Sequence, residues 1–402
     1  MKAIYLIVGA LKENVIFYRR IMSKKFVFVT SLLFSVLLNI TACTSIPKVP
    51  VQGIFLDEEI NTTVDSEIAK YYIESYLKGE NGNPNLHDKI SRLHTLHDNK
   101  PLSREDLKAI SNQYSVDFAA LFLAENLQKN ELNKDIQKNF NLFLNDHQST
   151  LLNLNHHKDR YIVLFVPGWD YKKNSHITGA DFAVQRRLVS ELKIENRLVE
   201  VPPTGSVEEI AVYLLNDISS YINTYKDIII VGASSAGPAI HWVLAEKLEN
   251  NHRSKIKAWL NIGGILQGSP LIDHYQQWPQ NMLFNTIAWI NDWNVENLYS
   301  LSADTSRKRY SNLDLLDENL KVINYLGLSL SGQLSELSID TYPLLVTEGP
   351  NDGLTPLTDI VAPNSATIIA TGSDHFFAED PRINEKTIAL LKVVISQIEN
   401  KI

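Results

Sequence analysis

Ser234 is the first residue in the chain whose setting suggests chemistry. It lies in Asp227-Ile-Ile-Ile-Val-Gly-Ala-Ser-Ser-Ala-Gly-Pro238, a β-branched run that ends in a cluster of small residues. A helix-like segment, Ala239-Ile-His-Trp-Val-Leu-Ala-Glu-Lys-Leu248, follows. A serine hydroxyl is a weak nucleophile until a base takes its proton, an acid orients the base and donors hold the developing oxyanion. The order strand, tight turn, helix presents a serine at a strained apex, where crowding demands small residues two places before and two after. Those places hold Gly232 and Ala236. The usual pattern has Gly at both, so Ala236 departs from it by one methyl. Ser235 is the rival for the apex, because Ala233-x-Ser235-x-Gly237 fits a similar spacing. Counting from the end of the apolar run favours Ser234.

The base and the acid are sought on later loops. His375 lies in Thr371-Gly-Ser-Asp-His-Phe376, after the apolar run Ala366–Ala370. Of the other histidines past the serine, His241 falls in the helix after the turn, His252 follows that helix and His274 opens a less regular stretch. Asp352 lies in Glu348-Gly-Pro-Asn-Asp-Gly-Leu-Thr-Pro356, after Leu344–Thr347. Its rivals as the acid are Glu348, Asp359 and Asp374. Asp374 adjoins His375 and would point away from it in extended or turn geometry, whereas Glu348 stands nearest the expected strand. For the oxyanion, the pattern calls for the backbone N–H after the nucleophile, that of Ser235, and one from the loop after the first major strand. That loop is Val166-Pro-Gly-Trp-Asp170, where Gly168 lets the backbone come close and the Trp169 N–H is the candidate donor.

Elements able to hold these residues follow from residue 158 onward. Tyr161–Val166, Arg197–Val201, Ile228–Val231, Ile256–Ile262, Leu344–Thr347 and Ala366–Ala370 read as strands. Between them Gly179–Leu192, a segment opened by the capping box Ser206-Val-Glu-Glu209, and Thr387–Ile398 read as helices. Such alternation predicts a mostly parallel sheet with helices on both faces. The alternation lapses over about 265–342, where Trp278, Trp289 and Trp293 gather. This insert is read as a lid or substrate wall. Residues 44–157 read as a tether, Ser45 to Gln52, followed by a helical N-terminal region. There Ile68, Tyr72, Ile73 and Tyr76 share a stripe, Ser103-Arg-Glu-Asp106 starts a helix, and Ser115–Leu127 is strongly apolar. No catalytic set stands out in it: His94, His97, His147, His156 and His157 are scattered and read as surface or loop residues.

Composition narrows the function classes. The 402 residues carry a net charge of about −8 with no long basic block, which argues against nucleic acid as a partner. One cysteine rules out an internal disulfide and any cysteine-based metal cluster, and no zinc-ligand spacing occurs. That cysteine, Cys43, ends Met22-Ser-Lys-Lys-Phe-Val-Phe-Val-Thr-Ser-Leu-Leu-Phe-Ser-Val-Leu-Leu-Asn-Ile-Thr-Ala-Cys43. Lys24 and Lys25 form a basic start, and Phe26–Leu38 is an apolar stretch of signal-peptide length. Ile40-Thr-Ala-Cys43 resembles the lipobox of bacterial lipoproteins. Residues 1–43 are thus read as a signal region starting at Met22, with Cys43 lipidated and the membrane a partner through that anchor. Thr44, in a position where Asp would retain a lipoprotein at the inner membrane, leans the expected destination toward the outer membrane of a bacterial cell envelope.

Residues 158–402 resemble a bacterial α/β-hydrolase of the lipase or esterase kind. The resemblance rests on Val-Pro-Gly-Trp (166–169), Val-Gly-Ala-Ser-Ser-Ala-Gly (231–237), Gly-Gly-Ile-Leu-Gln-Gly-Ser-Pro-Leu (263–271), Gly-Pro-Asn-Asp-Gly-Leu-Thr (349–355) and Asp-His-Phe (374–376). It implies an α/β-hydrolase fold with a central sheet of about eight strands, no cofactor or metal, and serine acyl-transfer chemistry. The expected substrate is a small-molecule or lipid ester, cleaved through Ser234, His375 and Asp352. Fold alone does not separate ester hydrolysis from acyl transfer, amide hydrolysis or a non-catalytic binding role.

Overall fold

In a computed structural model, residues 46–399 are described apart from 99, 147–151, 153, 224–226, 278, 314–315 and 378–379. The signal region, Cys43 and Trp278 lie outside the described residues.

Six parallel strands form the central sheet in the order β4-β3-β5-β6-β7-β8. They are β3 (Tyr161–Val166), β4 (Glu195–Leu198), β5 (Asp227–Ala233), β6 (Ile256–Ile262), β7 (Lys321–Leu328) and β8 (Ala366–Thr371). A parallel sheet covered on both faces requires apolar residues at successive positions rather than at alternate ones. β3 and β8 obey this strictly, with all their residues buried. One face, with Ile162, Leu164 and Val166, packs on helices α8 (Val207–Tyr221) and α9 (Ala236–Trp242). The other, with Val163 and Phe165, packs on α5 (Glu131–Asn145), α7 (Ala183–Glu191) and α14 (Ile383–Glu399). The chain runs from β3 outward to β4, then returns to place β5 on the other side of β3. Loops leaving β3 and β5 therefore diverge, and the crevice at their carboxyl ends is where an open α/β sheet binds ligands.

Among the described residues this is the parallel sheet with helices on both faces that the alternation implies, with six strands where about eight are expected. Two assignments change. Leu344–Thr347 is not a strand but part of two short helical turns, Tyr342–Leu345 and Val346–Glu348. Pro343 fits the first turn of a helix, and Leu344 is exposed rather than buried between layers. The strand that fills the sheet here is β7, inside the stretch read as an insert. Asn324 and Gly327 mask its apolar pattern. In the fold Asn324 is wholly buried, where its amide meets Asn261, Ser365 and Thr367. The excursion between β6 and β7 thus ends before Lys321 and holds α10 (Pro270–Gln276), α11 (Gln280–Ile290), α12 (Val295–Tyr299) and α13 (Ala303–Ser311).

The N-terminal region opens with a hairpin, not a tether running to Gln52. β1 (Val49–Phe55) pairs antiparallel with β2 (Glu58–Val64) through Leu56 and Asp57. Both turn residues have positive φ, as the tight two-residue hairpin turn requires. Pro47 and Pro50 disguise it, although proline is tolerated on an edge strand. Helices α1 (Glu67–Glu74), α2 (Pro84–Leu96), α3 (Arg104–Gln113) and α4 (Val116–Gln128) follow, and α3 starts on the expected Ser103–Asp106 capping box. Their apolar residues form one core with Leu326 and Leu328 of β7, Ile369 of β8, and Leu357 and Ile360 near the end of the Asp352 loop. His94 and His157 are not surface residues. His94 stacks on Tyr76 and packs against Phe122, and His157 is buried against Glu399 at 2.9 Å.

Candidate active site

The turn after β5 places Ser234 at φ +52, the left-handed region that a side chain rarely enters. The strain is held by hydrogen bonds. Ser234 N donates to Ile262 O at 3.1 Å, and Ser234 O accepts from Gly237 N at 3.0 Å and Ile265 N at 3.2 Å. The small neighbours have a direct steric reason. A methyl on Gly232 would stand 2.0 Å from Ile240 Cδ1, so the buried Ile240 side chain would have to move to admit it. The Ala236 methyl is fully buried and would be 3.5 Å from that same added carbon, in ordinary van der Waals contact, so a methyl fits at position 236 without a clash.

Ser234 Oγ lies 2.9 Å from His375 Nε2, and His375 Nδ1 lies 2.7 Å from Asp352 Oδ2. The backbone repeats the second link, since His375 N donates to Asp352 O at 2.9 Å. The other carboxylate oxygen, Oδ1, accepts from the amides of Leu354 at 2.9 Å and Thr355 at 2.8 Å. Asp352 and His375 are buried and Ser234 is half-buried. A carboxylate that only accepts, fixed by two amides, leaves Oδ2 facing Nδ1. The proton then sits on Nδ1, and Nε2 is the acceptor facing the serine hydroxyl.

The rival acids are engaged elsewhere, and the rival serine does not meet His375. Ser235 is buried at the start of α9, and its hydroxyl has no protein partner among the described residues. Glu348 pairs with Lys108 at 3.2 Å, on the flank of the N-terminal region. Asp359 is enclosed by Arg104 and Arg307. Asp374 accepts from the Ser335 amide at 2.8 Å and the Phe376 amide at 3.1 Å, directed away from the imidazole beside it. Which carboxylate faces His375 depends on contacts among 335, 352 and 375 that local sequence does not carry.

The loop after β3 reaches the serine from the other side. A methyl on Gly168 would be 3.5 Å from Ser234 Cβ and 3.6 Å from Ala233 O, in ordinary van der Waals contact, so the loop backbone runs directly beside the serine turn. The flanking amides are committed, Gly168 N to Ala180 O and Asp170 N to Pro203 O. Among the described residues, the Trp169 and Ser235 amides donate to no protein group. They are free where the pattern asks for oxyanion donors. Trp293, from the excursion, donates Nε1–H to Asp170 Oδ2 at 3.0 Å, and Lys173 donates to Asn291 O at 2.8 Å. These bonds tie the excursion to that loop and to the helix after it, Tyr171–Thr178. On α11, Trp289 is 75% exposed and Met282 62% exposed, a strongly apolar presentation to solvent.

No family model and no curated protein matches the chain. Solved structures similar to it include a metagenomic carboxyl esterase at 16% identity, covering 61% of this chain and 77% of that one, with a TM-score of 0.47. A lipase of Bacillus licheniformis in its mature form is 18% identical over 58% of this chain and 92% of that one, also at 0.47. The protein Est1E of Butyrivibrio proteoclasticus, with ferulic acid bound, is 11% identical over 61% of this chain and 93% of that one, at 0.35. The chemistry of the site rests on its own geometry.

Proposed function

We propose that the chain is a serine hydrolase that cleaves carboxylic esters of lipid or other apolar compounds through an acyl-enzyme. The observation that carries this reading is the unbroken line from Ser234 Oγ through His375 to Asp352. His375 Nε2 takes the proton as Ser234 Oγ attacks the ester carbonyl, and Asp352 stabilises the imidazolium that forms. The carbonyl oxygen becomes an oxyanion, held by the amides of Trp169 and Ser235. Collapse breaks the bond to the alcohol, which leaves with the proton from His375. Water then enters, gives its proton to His375 and its oxygen to the acyl carbon, and Ser234 is released as the hydroxyl with the free carboxylic acid.

Apolar substrates fit the exposed Trp289 and Met282 on the excursion and the address at Cys43. β1 begins at Val49, six residues after Cys43, so an acylated Cys43 would tether the body within roughly 20 Å of a lipid surface.

The test is labelling by a fluorophosphonate, with hydrolysis of an ester series of increasing acyl length. The wild type and Ser235→Ala should label and hydrolyse. Ser234→Ala should do neither, with kcat down by a factor of about 10⁴ or more. Labelling that survives Ser234→Ala, or a wild type that neither labels nor hydrolyses, would sink the reading. Transfer to added alcohols in place of water, or cleavage of amides at rates rivalling esters, would change the reaction class while keeping the triad.

A further inference from the structure

Behind the loop that carries Asp352 lies a buried ionic junction, and one of its members comes from the N-terminal region. The Asp359 side chain has no solvent exposure. Its Oδ1 accepts from Arg104 Nε at 2.9 Å and Nη2 at 2.5 Å, while Oδ2 accepts from Arg307 Nη2 at 3.1 Å. Arg104 is the first residue of α3, and Arg307 lies on α13. Arg104 Nη2 also donates to Gln267 Oε1 at 2.8 Å, and Gln267 N donates to Asp359 O at 3.2 Å. The N-terminal region, the excursion, the loop after β6 and the loop after Asp352 meet at one carboxylate.

Arg104 does nothing for its own helix. A cation in the first turn opposes the helix dipole. The start of α3 is already served by the Ser103–Asp106 capping box and by Glu105. Its reason lies across the interface.

From this junction two short links run to the reacting groups. Thr355 Oγ1 donates to Gly268 O at 2.6 Å, and Ser269 Oγ donates to Leu354 O at 2.5 Å. Leu354 and Thr355 are the residues whose amides hold Asp352 Oδ1. At the other end of the same loop, Ile265 N holds the carbonyl of Ser234. Gln267 sits between these anchors, gripped by Arg104.

We propose that Arg104 is a positioning residue for this reaction: through Asp359 and Gln267 it fixes the loops that set Asp352 against His375. The N-terminal region is then part of the active-site scaffold and not a spacer between anchor and enzyme. This rests on the hydrolase reading of Ser234, His375 and Asp352.

The expected signature follows from the acid's task. A carboxylate against Nδ1 favours the imidazolium that forms during the reaction, so a loosened Asp352 should show in the pH dependence of the chemical step. The test compares wild type, Arg104→Gln, Arg104→Lys and Lys108→Gln in the full chain. Arg104→Lys keeps the charge but not the two-pronged grip. Lys108→Gln removes an ion pair across the same interface, to Glu348, without touching the junction. Fluorophosphonate labelling counts competent serines, and kcat and KM on a short-chain p-nitrophenyl ester are expressed per labelled serine across pH. In both Arg104 variants kcat should fall about tenfold or more at little-changed KM. The acid limb of the pH profile should move. Lys108→Gln should behave as wild type.

A lower labelled fraction with wild-type kcat per serine and an unmoved acid limb would mean a purely structural role and overturn the proposal. If Arg104→Gln does not fold, Arg104→Lys decides by the same criteria. A wild type that does not label overturns the hydrolase reading instead. The positioning claim is then judged by NMR titration of His375, and identical titration in wild type and Arg104→Lys overturns it.

Discussion

His241 shows what a buried histidine costs when its ring lacks a partner. It is buried on α9, its ring 6.2 Å from that of Trp259 and 5.1 Å from that of Tyr310, and Nε2 has no protein partner among the described residues. Burial lowers its pKa from 6.5 to about 4. An unfolded chain takes the proton below 6.5 and the folded one refuses it until about 4. The stability this neutral ring allows is full above pH 6.5 and lost as pH falls through that window, by up to about 3 kcal/mol. His241→Leu, of similar volume, should flatten part of the loss of stability between pH 7 and pH 4 in denaturant melts. His94, lowered to about 4 by burial and then by Lys129, keeps its own share in the variant. An unchanged pH slope would show that His241 is solvated in the folded state.

At the scale of elements, α5 covers the open edge of β8. Gln137 accepts from Ile369 N at 2.8 Å and donates to Ile369 O at 3.4 Å, and Asn133 accepts from Thr367 N at 2.8 Å. Four residues of helix rise about 6 Å and two residues of strand about 6.6 Å, so successive turns of α5 meet successive inward groups of β8. The helix acts as a further strand on an edge that would otherwise be open to other chains. Gln137→Leu should strand the Ile369 amide and carbonyl, cost about 2–4 kcal/mol in denaturant unfolding and raise light scattering on heating. Wild-type stability and scattering would show that water replaces the side chain there. In sequence, Asn133 and Gln137 look like the polar face of a surface helix, because their partners are more than two hundred positions away.

For the whole molecule, the joint between the N-terminal region and the sheet domain centres on Asp117. It is fully buried and accepts from Ser331 N at 2.8 Å, Ser331 Oγ at 2.6 Å, Tyr342 OH at 3.4 Å and Asp65 N at 2.7 Å. Burial, and then the neighbouring Asp65 carboxylate, raise its pKa to about 7. The folded form holds a proton that the unfolded chain releases near 3.8. The associated stability is full below that value and is lost as pH rises through about 7. Asp117→Asn, which mimics the protonated acid, should lose less stability than wild type between pH 5 and pH 8. Parallel curves would mean that Asp117 titrates normally. The effect runs opposite to that of His241, so each is read from its variant against wild type.

The sequence by itself determined what is local. The β-branched run, the small residues around Ser234 and the helix after it specify a strand, turn and helix through sterics within about ten residues. The order Ser234, Asp352, His375 could likewise be read from loops after apolar runs. Long-range contact decided the rest. Asp352 and not Glu348, Asp359 or Asp374 meets His375 because Ser335, Lys108 and two arginines engage the others. β7 could not be recognised because Asn324, polar in sequence, is satisfied only by Asn261, Ser365 and Thr367 once the sheet has formed. Arg104 and Asp359 stand 255 positions apart, and only folding makes them one buried ion pair. Backbone preference acts between neighbours, whereas burial and charge pairing act between whatever the fold brings together.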